Sequence, residues 1–409
     1  MVKGIKSGLL FLLLLGGSNL FAQQDSVLIF YKDTVFINRG KAIDWEIMHK
    51  RQQNLTFTGT RIAQAPSDKY DSTGTISLSG YISCYYGMYS DTSNATGFQK
   101  FPTSAPKSET FSLNIVQLSA AYHSRNFRGI FTFHYGDIPH CAWSNEYNLI
   151  QEANVGMRVA PKLWLDAGMF RTHMGLESIQ PRENITYSIA TTTYYEPYFL
   201  SGAKLTWNPG SKLTLQANVF NSFNTFHETN KNKAFGLAAL YEFNSKLSIT
   251  FNSIHCDESP LYAPLKQPRL YNNLYLAYKS KHIDLGAEIN YGTQQHTKLA
   301  DSTKSAIMYS TLLAVKIKFS PKYAVYTRGE YFYDPNEILT GPVQNGHHQL
   351  VGIDLFGLTA GFEIKPIINS YFRVEGRYLQ TTSDEDIFLL NNQSSHQRWE
   401  ILTGLGVWF

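Results

Sequence analysis

The chain predicts an all-β fold, a transmembrane antiparallel β-barrel of about sixteen strands, with fourteen the count if two irregular pairs drop out. Three observations carry this. From Thr75 to Phe409, stretches of roughly ten residues alternate apolar and polar side chains with a period of two. The joints between them alternate as well, one long and polar, the next only a few residues. No segment is apolar for long enough to cross a bilayer as a helix. Bacterial outer-membrane barrels have short turns on one side and longer loops on the other. Their strands escape hydropathy averaging because lipid-facing and lumen-facing residues take turns. A mean hydropathy of −0.24 is therefore compatible with a membrane protein.

The first residues read as an export signal. Lys3 and Lys6 precede the apolar run Leu9 to Leu15, which is too short to span, and Gly16, Gly17 and Ser18 lead to a small residue, Ala22, suited to cleavage. Residues 23–74 do not share the later beat. Val27 to Tyr31 and Thr34 to Ile37 read as two short strands around Lys32-Asp33, and Asp44 to Gln53 as a short helix. A periplasmic extension and a small plug both remain open for this segment.

The barrel occupies 75–409. Its strand cores fall at 75–89, 110–123, 127–136, 150–159, 162–170, 196–207, 212–221, 233–243, 246–254, 271–279, 282–292, 306–319, 322–333, 349–365, 369–380 and 397–409. Eight long joints and seven short ones place both termini on the periplasmic side. Leu213, Leu215, Ala217 and Val219 share one face and oppose Thr214, Gln216 and Asn218. Ile283, Leu285, Ala287 and Ile289 oppose Asp284, Glu288 and Asn290. A β-sandwich would alternate in the same way. Strand length, the unbroken run of hairpins and the aromatics beside the short turns favour the barrel. Those aromatics are Trp164, Trp207, Tyr241, Phe243, Tyr278, Phe319 and Tyr323, the pattern of an interfacial girdle. The last strand puts Trp399, Ile401, Thr403, Leu405, Val407 and Phe409 on one face. A final Phe409 fits the signal read by barrel-assembly machinery, which makes that machinery and outer-membrane lipids expected partners.

The other face is charged. Asp284, Glu288, Lys316, Lys318, Arg328, Glu330, Arg373, Glu375, Arg377, Arg398 and Glu400 are the candidate pore-lining residues. Toward lipid, each Arg or Lys at mid-bilayer would cost about 2–4 kcal/mol, so they must point inward. About sixteen strands leave room for an aqueous channel. The charges then read either as a field acting on ions or as interstrand ion pairs that stiffen the wall. The long joint after the fifth strand carries Arg171, His173, Glu177, Arg182 and Glu183 and is a candidate constriction loop; an inward and an outward course are both open.

Around that joint the chain resembles a known family. Leu165-Asp166-Ala167-Gly168-Met169-Phe170, Met174-Gly175-Leu176-Glu177, Tyr194-Tyr195-Glu196-Pro197 and Ser201-Gly202-Ala203-Lys204 before Trp207 look like the OmpL-like family of outer-membrane β-barrel porins. The resemblance implies a channel for small solutes, with no catalytic residues to carry over.

Composition excludes little but excludes it clearly. The formal charge of +4 falls to +2 once Lys3 and Lys6 are lost, too weak for a nucleic-acid partner. His140-Cys141 and His255-Cys256 leave a zinc site, a disulfide or no link open. No phosphate-cradling glycine loop and no HExxH helix is present, so no cofactor is expected. The sequence reading is a non-enzymatic outer-membrane porin for passive diffusion of small hydrophilic solutes, compatible with a homo-oligomer. The rival readings are a structural or adhesion barrel with a closed lumen, and a membrane-embedded hydrolase for which His134 and Ser144 would be the residues to test.

Overall fold

The computed structural model describes residues 27–31, 34–38 and 74–409, apart from 92–93, 96–97, 227, 229, 258, 260–264, 384 and 392. The export signal and the 44–53 helix lie outside the described residues. Sixteen strands form the barrel. They are β1 (Thr75–Tyr89), β2 (Ser112–His123), β3 (Phe127–Tyr135), β4 (Ile150–Ala160), β5 (Leu163–Arg171), β6 (Phe199–Trp207), β7 (Leu213–Phe220) and β8 (Ala234–Glu242), followed by β9 (Leu247–Asp257), β10 (Pro268–Lys279), β11 (Ile283–Gln294), β12 (Ala306–Lys318), β13 (Tyr323–Asp334), β14 (Ile353–Ile364), β15 (Ser370–Thr381) and β16 (Gln397–Trp408). Each strand pairs antiparallel with the next, and β16 returns to pair with β1 from Glu400↔Tyr89 to Trp408↔Tyr81. Beyond that register, Gly80 and Phe409 exchange backbone hydrogen bonds of 3.1 Å.

The short turns are built by their first residues. Ser124 Oγ accepts from the Phe127 amide and donates to its carbonyl. Ser280 does the same to Ile283. Asn244 Oδ1 accepts from the amides of Lys246 and Leu247. Short polar side chains that bond their own backbone two or three residues on reverse the chain with few residues.

Strict alternation fails at three places. Register shifts between Ser83 and Cys84, between Thr132 and Phe133, and between Arg158 and Ala160 are bulges, each adding a residue to one strand. They fall among β1–β5, where the two-residue beat is hardest to read in the sequence.

Outside, the barrel presents a band of exposed large apolar side chains, among them Leu237 at 59%, Ile289 at 61% and Leu313 at 53% exposure. A contiguous belt of this kind marks a lipid-facing surface. Trp207, Tyr241, Phe243, Phe319 and Tyr323 stand exposed beside the short turns, as the girdle requires. Trp164 does not. It shares the inward face of β5 with Asp166, is buried, and lies under the Arg128 guanidinium at 4.6 Å from the ring centroid.

Two short helices sit in the long loops, α1 (Asp137–Ala142) and α2 (Thr191–Tyr195). The two strands expected before the barrel are present as Val27–Tyr31 and Thr34–Asn38, the second one residue longer than expected; they pair with each other, and the second continues along β1 with Ile37 opposite Ile76. The histidine–cysteine pairs do not meet. Cys84, Cys141 and Cys256 are free thiols; Cys141 is exposed on α1, and Cys256 is buried on the inner face of β9. His255, its neighbour in a strand, necessarily points to the opposite face. Among the described residues no cluster could hold a metal ion.

Candidate functional site: a lumen crossed by an inward loop

Residues 172–198, joining β5 to β6, turn into the barrel, and most of their side chains are buried. The course follows from hydrogen bonds made all round the wall. On β13, Arg328 Nη1 donates to Glu177 Oε1 at 2.9 Å, to Thr186 Oγ1 at 2.9 Å and to the Ser188 carbonyl at 2.8 Å. On β15, Arg373 Nη1 donates to the carbonyls of Pro181 and Thr186 at 2.8 and 2.7 Å, and Nη2 to that of Asn184 at 3.2 Å. Two residues later on the same strand and face, Glu375 accepts the amides of Tyr187 and Ser188 at 2.7 and 3.1 Å. Glu330 Oε2 accepts the Thr191 amide at the start of α2, at 2.5 Å. Five planar donors on each guanidinium let one side chain hold several backbone carbonyls at once.

Other strands of the ring hold it too. Arg182 Nη2 donates to Gln117 Oε1 on β2 at 3.3 Å, and Gln180 Nε2 to Gln151 Oε1 on β4 at 3.1 Å. On β11, Glu288 Oε2 accepts the Leu176 amide at 2.5 Å, and on β10, Tyr271 donates to Glu196 Oε1 at 2.7 Å. The loop therefore spans the lumen from wall to wall. Near its start, Glu183 pairs with Arg171, the last residue of β5, at 2.5 Å. Burial alone would raise the Glu183 carboxyl, but Arg171 outweighs that and holds it at about 2.

Every candidate pore-lining residue faces inward, as the alternation requires. The sequence reading left open a field acting on ions or ion pairs that stiffen the wall, and the structure shows the residues paired. Arg328, Glu330, Arg373, Glu375 and Arg377 lie buried under the loop, bonded to it or to one another. Arg377 Nη2 donates to Glu330 Oε1 at 2.8 Å and to Thr191 Oγ1 at 3.1 Å. Arg398 pairs with Glu400 at 3.0 Å and with Asp91 of the first long loop at 2.6 Å. Lys316 pairs with Glu363 at 3.0 Å, and Lys318 with Asp284 at 2.6 Å near the short-turn rim. Of the constriction-loop candidates, Arg171, Glu177, Arg182 and Glu183 serve as anchors, and His173 stacks obliquely on Phe220 with ring centroids 5.8 Å apart. Arg182 also lies over Tyr81 at 4.7 Å.

Sequence reasoning missed three partners. Glu363 joins Lys316 and Arg373 (2.6 Å from Arg373 Nε), and its place on the charged face of β14 was readable from alternation. Asp91 and Ser104 belong to the first long loop, which also enters the lumen; Ser104 Oγ accepts the Ile189 amide at 3.2 Å. No local signal marks a loop residue for such a role.

Comparison with known proteins places this architecture. The barrel superposes on the outer membrane channel DcaP of Acinetobacter baumannii with a TM-score of 0.53, 9% identity and coverage of 81% of this chain and 97% of that one. It is similar to OmpF of Salmonella typhi, determined in complex with daunomycin, with a TM-score of 0.52 and 12% identity over 85% of this chain and 100% of that one. OmpT of Vibrio cholerae, in its in-vitro folded trimer form, gives a TM-score of 0.52 and 10% identity over 82% and 99%. At such identities the likeness is one of fold. No curated protein matches the sequence. A family model does, from residue 75 to residue 409, the whole of the barrel, and by that match the chain belongs to the family described as "putative beta-barrel porin-2, OmpL-like".

Proposed function

We propose that the protein is an outer-membrane porin that lets small hydrophilic solutes diffuse passively past an inward-folded loop. The observation that carries this is the closed ring of sixteen strands, apolar outside and hydrogen-bonding or charged inside. In this reading residues 1–22 are a cleaved export signal, 23–74 a periplasmic segment, and the short turns and both termini face the periplasm. The charged residues of β11–β16 fix the loop and the ionic character of the bore, and a homo-oligomer follows the precedent of the trimeric Vibrio cholerae protein. Transport of this kind makes and breaks no covalent bond.

Purified, folded protein reconstituted in planar bilayers is expected to give stepwise ion currents. A silent wild type overturns the porin reading. One observation favours a second reading, a barrel with a closed lumen: the near-complete burial of loop residues 184–193. Arg328→Ala combined with Arg373→Ala separates the two. A conducting wild type supports the porin, and currents that appear only in the double variant support the closed barrel.

A further inference from the structure

The inner wall is chemically divided. From β11 to β16 the inward side chains include Asp284, Glu288, Lys316, Arg328, Arg373 and Arg398. Across β7, β8 and β9 the buried inward side chains include Thr214, Gln216 and Asn218, then Ala238 and Leu240, then Ser248, Thr250 and Asn252, with the apolar Phe220, Ala234, Ile254 and Cys256 toward the long-loop end; none of these is charged, and the one carboxylate on this face, Glu242, is half-buried at the short-turn end of β8. In a ring of sixteen consecutive pairings, β8 stands opposite β16. The hydrogen bonds described for the loop reach β2, β4, β10, β11, β13 and β15. The neutral wall lies on the side of the lumen away from its strongest anchors.

That wall also carries polar atoms without a protein partner. Gln216 Oε1, both side-chain atoms of Asn218, Ser248 Oγ, Thr250 Oγ1 and Asn252 Oδ1 are buried and unbonded. The backbone register sets Gln216 beside Ala238 and Ala238 beside Asn252, so the amides flank a small residue. Asn252 heads a ladder of amides: it donates to Asn273 at 2.8 Å, Asn273 to Asn290 at 2.6 Å, and Asn290 to Ser310 at 3.1 Å. A buried polar group left unpaired costs about 1–3 kcal/mol, so these atoms call for an occupant able to bond them. Amides and hydroxyls together offer donors and acceptors in near-equal number and no net charge. They can replace the hydration of a hydroxylated solute but cannot compensate an ion stripped of water.

We infer that the neutral wall of β7–β9 is the specificity-determining surface of the channel, and that the solutes it passes are small uncharged polyols and sugars. This rests on the porin reading and names its substrate class. Swelling of proteoliposomes in glucose, gluconate and glucosamine tests it with solutes of one size and three charges. Glucose is expected to enter about fivefold faster than either ion. Asn218→Leu with Thr250→Val, which removes hydrogen bonding with little change of bulk, is expected to abolish that preference. Gln216→Glu, which keeps shape and polarity, is expected to favour glucosamine over gluconate. Should gluconate or glucosamine match glucose in the wild type, or the preference survive both variants, the inference is overturned while the porin reading stands on bilayer currents. Failure of all three solutes together with silent bilayers overturns both.

Discussion

At the scale of the residue, the buried guanidiniums decide where the loop lies. Arg328 is fully buried and bonds Glu177, Glu330, two hydroxyls of the loop and one of its carbonyls. Truncating one partner of a buried ion pair strands the other charge, at about 3–5 kcal/mol. Arg328→Ala is expected to release the loop without opening the barrel, read as higher single-channel conductance and new protease cleavage within 172–198. Arg373→Lys is expected to do nearly the same, because a single ammonium cannot hold Glu363 and three carbonyls in one plane. The Arg171–Glu183 pair adds a pH dependence. Glu183 titrates at about 2 in the folded protein against an ordinary 4.5, so its contribution is complete above about 4.5 and is lost as the pH falls from there towards 2. Channel noise measured across that interval is expected to rise on acidification, and Glu183→Gln is expected to be noisy at every pH.

At the scale of the element, the strands were legible and the loop was not. Period-two alternation is local, and it located β12 to within one residue of Ala306–Lys318. It also assigned Gln216 and Asn218 inward, where they are buried. It misplaced Trp164, because a tryptophan beside a short turn reads as girdle unless its face is counted; with Asp166 as its same-face neighbour, the inward position under Arg128 follows. The course of the 172–198 loop rests on partners far away in the chain. Arg328 and Glu177 lie 151 residues apart, and no local pattern encodes that contact. The same alternation yields a stability test. Leu237 faces outward and Ala238 inward on β8. Leu237→Arg is expected to destabilise the lipid-embedded barrel by about 2–4 kcal/mol in denaturant unfolding from vesicles, the larger value applying at mid-bilayer. An Arg at 238 would face the lumen and is expected to act on ion selectivity instead.

At the scale of the whole molecule, the ring is completed by a pairing between its two ends. Phe409 lies across Gly80, whose missing side chain leaves room for the ring: a Cβ there would come within 2.4 Å of the Phe409 ring. Deleting Phe409, or substituting Gly80→Val, is expected to slow folding into vesicles more than it alters the finished barrel, as followed by tryptophan fluorescence. The reason lies in the order of synthesis. β1 is among the first parts of the barrel to leave the ribosome, and its partner β16 is the last strand to follow. Until then the nascent sheet has two raw borders whose amides and carbonyls would template aggregation. The ring therefore cannot mature strand by strand as it is translated. Closure waits until the whole barrel sequence has been made, and both borders stay open to wrong partners until then.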